Sequence, residues 1–292
     1  MGVVRAIGEG LRIVLGKARM AGGLWLINLA YALAVLTPFI LLLERDFGHS
    51  ELGRKLGTVD FIWLGDLLFK YRSALPAAAG WILVPLVIYL LLSVFLNGGI
   101  VGRVLDRGGG PTVRPFFSDC GEFGFRFLRL FLFQLLSDLL VLVGTVGLLS
   151  ALFRPAIEGA GTEWTVLVLT NLPFLFALLP LTLVHITFDY AKILTVAGNE
   201  PRVLAALGSA LRFLRRRLFG AWSLFLLIGA LFVVGAAVHG MAARALSGPG
   251  SLEIGAAFLW SQAFIVFRIG IKILFFSAQA EYYRTNRVSE DE

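Results

Sequence analysis

Cysteine is nearly missing from this chain: Cys120 is the one thiol among 292 residues. An intrachain disulfide and a thiolate metal cluster are therefore excluded, and Cys120 reads as a small apolar side chain on an amphipathic helix. Histidine is scarce as well. His49, His185 and His239 are dispersed and do not make a transition-metal set. Charged residues are 15% of the sequence, against about 25% in soluble domains. There is no P-loop, Gly-x-Ser-x-Gly elbow, metalloprotease histidine pair or dinucleotide fingerprint. Gly108-Gly109-Gly110 is not followed by the Lys-Ser/Thr of a phosphate cradle. With no convergent acid, base and nucleophile, the expectation is a non-enzymatic protein without a cofactor.

Apolar residues fill the space, at 58% of the chain and a mean hydropathy of +0.84. A soluble protein of this length cannot hide so much apolar surface, so the solvent is lipid. Six spans are expected, at about 21–43, 79–102, 127–152, 164–187, 220–243 and 254–278. Each supplies the roughly 20 apolar residues needed to cross ~30 Å of hydrocarbon. Backbone groups in lipid must pair within their own segment, so the fold class is all-α integral membrane. Arg5, Glu9 and Arg12 interrupt any early apolar run, so the first span is expected to stay rather than be cleaved.

Basic residues set the orientation. One side holds Arg5, Arg12, Lys17 and Arg19, then Arg103, Arg107 and Arg114. It also holds Lys192, Arg202, Arg212, the Arg215-Arg216-Arg217 run, Arg284 and Arg287. On the other side the loop at about 44–76 balances Arg45, Arg54, Lys55, Lys70 and Arg72 with five acids. The positive-inside rule then puts both termini in the cytoplasm, with the chain in an inner membrane. The net charge of +7 is interleaved with spans, so anionic headgroups are the expected partner, not nucleic acid. In the outer loop, Val59, Trp63, Leu67 and Phe69 are spaced for a short amphipathic helix.

The chain repeats itself. Val3, Val4, Ile7, Leu11, Val14 and Ala18 recur 200 residues on as Val203, Leu204, Leu207, Leu211, Leu214 and Leu218. Gly8 and Arg12 recur as Gly208 and Arg212. A weaker copy aligns Phe116, Phe117, Cys120 and Phe127 with the same apolar positions, and Gly121-Glu122 with Gly8-Glu9. Each copy has helical periodicity and a basic polar face, as in a helix lying among headgroups. Each precedes two spans. The expected organisation is a single membrane domain of three pseudo-repeats, about 1–107, 108–198 and 199–284, with a tail at 285–292. Arg12, Lys17, Arg212, Arg215, Arg216 and Arg217 are the candidate anionic-lipid contacts.

Ionisable groups deep in a membrane point to function. One helical face of the third span carries Gln134, Asp138, Val141 and Thr145; one face of the sixth carries Ser261, Arg268, Lys272 and Gln279. At 1.5 Å per residue, Asp138 lies roughly 16 Å and Arg268 roughly 21 Å inside their spans. Asp138 is expected to pair with Arg268, with Lys272 sharing the carboxylate or snorkelling. Asp138, Arg268, Lys272, Gln134 and Gln279 are the candidate polar cluster, either a structural ion pair or the lining of a site. His185 reads as an interfacial histidine close to Asp189, with a proton relay as the sharper alternative. Pro173 and Pro180 predict a kink in the fourth span.

The layout of Gly8 to Arg12, Asn97 to Gly99, Asp189 to Lys192, the Leu204 to Arg217 helix and the Tyr282-Tyr283 exit resembles a loose group of six-span bacterial membrane proteins. It is also similar to the membrane domain attached to some glycerophosphodiester phosphodiesterases. The resemblance covers the chain as a pattern and transfers no site residue. The sequence has no soluble phosphodiesterase segment, so the resemblance implies no hydrolase activity. The leading expectation is a scaffold or accessory subunit that binds lipid or a membrane-protein partner. The alternative is a transporter or lipid-translocating protein with a charged cluster at the midplane.

Overall fold

The chain is described by a computed structural model over residues 2–47, 75–106, 113–246, 248 and 250–288. Among these residues the structure is all-α. The helices are α1 (Val3–Gly16), α2 (Ala18–Phe47), α3 (Leu75–Leu105), α4 (Val113–Glu158), α5 (Glu163–Ala197), α6 (Val203–Ala245) and α7 (Ser251–Val288). Six helices are long and apolar enough to cross a membrane, and together they contain all six expected spans. The helix expected around Val59 to Phe69, His49 and the Gly108–Gly110 turn lie outside the described residues. Of the tail expected at 285–292, residues 285–288 lie within α7 and the rest lie outside the described residues.

The expected interfacial segment and span are separate helices at α1 and α2, are divided by a break inside α6 and are continuous in α4. A turn at Lys17 divides α1 from α2, and Arg217, 200 residues on, has φ −129° and ψ 23° inside α6. In α4 the helix is continuous from Val113 to Glu158. Phe123, Phe127, Leu130 and Gln134 form one buried stripe through the corresponding point, so packing holds that helix straight. Pro173 and Pro180 likewise sit inside α5 without ending it. Its first turn is capped by Thr162, whose hydroxyl accepts from Thr165 N at 3.3 Å.

The chain expected as a single domain packs as two compact units. The first holds Met1–Gly16, Val94–Ala230 and Lys272–Glu292; the second holds Lys17–Ser93 and Leu231–Ile271.

In the first unit α3 meets the start of α4 through glycine. A Cβ on Gly99 would lie 2.5 Å from the Cys120 sulfur, and one on Gly102 would lie 2.4 Å from an Asp119 carboxylate oxygen. The small-residue spacing of Gly98 and Gly102 is thus a close approach of two helices. Arg103 Nε donates to Asp119 at 2.6 Å across this contact. The start of α6 packs on α5 and α7: the Phe213 ring lies 5.1 Å from Tyr190 and 5.1 Å from Tyr283. Tyr282 turns its hydroxyl onto Gly220, just past the Arg217 break.

The first helix, α1, packs on α7 at Gly10, where a Cβ would stand 3.0 Å from the Ala278 backbone nitrogen. Gly10→Leu should therefore destabilise the unit by about 1–3 kcal/mol through overpacking. Gly8→Leu is the control, since nothing lies within 4 Å of that position. Thermal midpoints in mild detergent should fall for the first variant and hold for the second.

The second unit is tied by aromatic and amide groups. Trp25 Nε1 donates to Gln262 Oε1 at 3.0 Å, and the Tyr89 hydroxyl donates to Asn28 Oδ1 at 2.9 Å. His239 stacks on Phe264 with centroids 4.2 Å apart, a packing role rather than a ligand role. Gly235 receives the Phe267 ring. Gly240, paired with Ala236 by spacing alone, has nothing within 4 Å.

Candidate functional site

The antiparallel pair α4 and α5 carries a line of polar side chains in the first unit. Gln134 and Asp138 sit one turn apart on α4, and His185, Asp189 and Lys192 share one face of α5. The hairpin turn at 159–162 places them side by side. His185 Nε2 lies 3.7 Å from Asp138 Oδ2. On the other side of the ring, His185 Nδ1 lies 2.8 Å from Gln134 Nε2. Lys192 Nζ donates to Gln134 Oε1 at 3.2 Å and to Asp189 Oδ1 at 3.1 Å.

Donor capacity fixes the protons along this line. An ammonium only donates, so Lys192 requires the oxygen of the Gln134 amide. The amide nitrogen then faces His185 Nδ1 and donates to it. Nδ1 must accept, so a neutral imidazole carries its proton on Nε2, toward Asp138. Gln134 is buried, and the Lys192 and Asp189 side chains are 13% and 19% exposed. Asp138 Oδ1 is buried without a hydrogen-bond partner among the described residues. The His185 side chain is 48% exposed and forms the open side of the line.

The expected face of Gln134, Asp138, Val141 and Thr145 is the less exposed side of α4, and it turns toward α5. The ion partner of Asp138 is His185, whereas the sequence pointed to Arg268. Arg268 is exposed and belongs to the second unit. The physical reason is register: the short hairpin turn at 159–162 sets the α4 face against α5. Lys272 and Gln279 belong to the first unit. Gln279 is fully buried, and neither of its amide atoms has a hydrogen-bond partner among the described residues.

Sequence reasoning missed Lys192 as a member of the line, although His185, Asp189 and Lys192 recur at helical spacing and match Gln134 and Asp138. It also missed Asp119 as the partner of Arg103. Among the lipid-contact candidates, Arg212, Arg215, Arg216 and Arg217 are exposed, Lys17 is half-buried, and Arg12 is exposed with its guanidinium 3.3 Å from Glu9. Comparison with family models, with curated proteins and with solved structures found no match.

Proposed function

We propose that this protein is a non-enzymatic, multi-pass inner-membrane protein that uses basic interfacial helices to bind anionic lipid or a membrane-protein partner on the cytoplasmic side. The supporting observation is that α1 and the start of α6 each have three faces. Ala6 and Gly10, like Ala206 and Ala210, are buried against protein. Val4 and Leu15, like Leu204 and Leu211, are large apolar side chains left exposed. Arg5 and Arg12, like Arg212 and Arg215, form an exposed basic face. A helix held to its protein by small residues, with an apolar stripe beside a basic one, suits the plane of headgroups.

Three pseudo-repeats fit the packing. The start of α4 seats on the end of α3, the start of α6 on α5, and α1 on the end of α7. Each interfacial segment thus meets the exit of the hairpin before it, with the first closing on the last. The resemblance to six-span bacterial proteins and to phosphodiesterase membrane domains fits this layout and names no ligand.

Each basic residue near an anionic surface contributes about 1 kcal/mol. Arg212→Gln with Arg215→Gln should therefore lower the preference for anionic over zwitterionic lipid by about 30-fold. Native mass spectrometry of lipid retained from mixed nanodiscs reads this directly. Retention that is unchanged in the double variant would count against a headgroup role. The second reading, a transporter or lipid translocator, is favoured by the line of polar contacts from Asp138 to Lys192.

A further inference from the structure

We infer that Asp138 and His185 form a proton-binding site whose occupancy is transmitted through Gln134 to Lys192. With a neutral imidazole, the ionisable groups of the line are two carboxylates, Asp138 and Asp189, and one ammonium, Lys192, a sum of one negative charge. Lys192 already contacts Asp189 at 3.1 Å, so the unbalanced carboxylate is Asp138, whose Oδ1 is buried without a hydrogen-bond partner among the described residues. One proton from solvent makes the line neutral. In a low-dielectric setting that difference is large, because buried charge is tolerated when paired.

The proton binds the lone pair on Nδ1 of His185; no bond breaks and no electron moves. The imidazolium now donates from both nitrogens. Nε2–H keeps Asp138, while Nδ1–H meets the Gln134 amide nitrogen, donor against donor at a site 2.8 Å across. The amide must turn over and offer its oxygen to His185. Its NH2 group then faces the Lys192 ammonium, which loses this acceptor and keeps Asp189. A proton taken up beside Asp138 is therefore felt at Lys192, about 10 Å further along α5. From α4, Asp138 at 3.7 Å favours the imidazolium. On α5, Asp189 favours it and Lys192 opposes it.

The test uses the full chain in lipid nanodiscs with 15N-labelled histidine. His185 is assigned by loss of its signal in His185→Gln. The wild-type protein at high pH should show a protonated Nε2 and a bare Nδ1, and acidification should convert them to imidazolium in a single-proton step. Asp138→Asn should move the midpoint down by about one pH unit or more, the usual effect of losing a carboxylate at this distance. Lys192→Met should move it up, by removing a charge and by freeing Gln134 to turn. A protonated Nδ1 in the wild type at high pH overturns the proposal without recourse to any variant. So does the absence of titration between about pH 4 and pH 9, or a midpoint indifferent to Asp138→Asn. A midpoint that does not rise in Lys192→Met overturns the transmission to Lys192.

Discussion

Arg103→Met should destabilise the first unit by about 3–5 kcal/mol, the usual consequence of stranding one member of a buried ion pair. The side chains of Arg103 and Asp119 are 16% and 14% exposed, and they meet at 2.6 Å. Gly102 makes the approach geometrically free, since a Cβ there would occupy the place of the Asp119 carboxylate. Without the guanidinium, Asp119 loses the partner that offsets its desolvation. The double variant Arg103→Met/Asp119→Leu should recover most of the loss, because apolar side chains replace both charges at a site already lined by Phe116 and Cys120. Asp106, 39% exposed and 2.8 Å from the same guanidinium, is a surface contact, and Asp106→Asn should cost about 1 kcal/mol or less. Unfolding midpoints in mild detergent order the three variants. A double variant no more stable than Arg103→Met would falsify the ion-pair account.

A loss of comparable size is expected for Phe213→Ala, about 3–5 kcal/mol for an aromatic removed from a packed site. Phe213 is buried, and its ring sits among Tyr190 on α5 and Tyr282 and Tyr283 on α7. It joins three helices where the interfacial segment of α6 meets the rest of the first unit. Tyr190 is fully buried beneath it, so truncation opens a cavity the neighbours cannot fill by small shifts. Phe213→Leu keeps most of the volume and should cost about 1 kcal/mol. A second readout is local. Loosening this segment should speed tryptic cleavage at the exposed Arg215-Arg216-Arg217 run. If the run stays equally resistant in Phe213→Ala, the segment is held by other contacts.

The membrane fold was legible because its causes are local. An apolar run of sufficient length has one conformation available in lipid, and all six runs appear as helices. The turn at Lys17 and the break at Arg217 lie 200 residues apart, the spacing of the two strong sequence copies. The small-residue face was less visible. Ala6, Gly10, Ala206 and Ala210 look unremarkable beside Val4 and Leu204, yet they are the buried side. Hydrophobicity ranks the larger residues higher, and in water they would be the core. On the proposed function lipid takes them, and protein contact selects for closeness instead.

The polar site was half legible. Gln134 and Asp138 share a face by spacing, and that face is the one that packs. Their partner was misassigned because depth alone was used to match Asp138 with Arg268, and depth is shared by every span. The hairpin turn at 159–162 carries the missing constraint. Residues about equally distant from a short turn become neighbours, and His185 and Asp138 satisfy this.

The sequence by itself therefore determined the number and helical form of the long apolar runs, because hydropathy and periodicity act over a single helix. Tertiary structure decided which groups meet: Asp138 with His185, Gln134 with Lys192, Arg103 with Asp119. Those pairings depend on rotation and register between helices, set by glycine contacts, turn length and aromatic packing that no single segment contains.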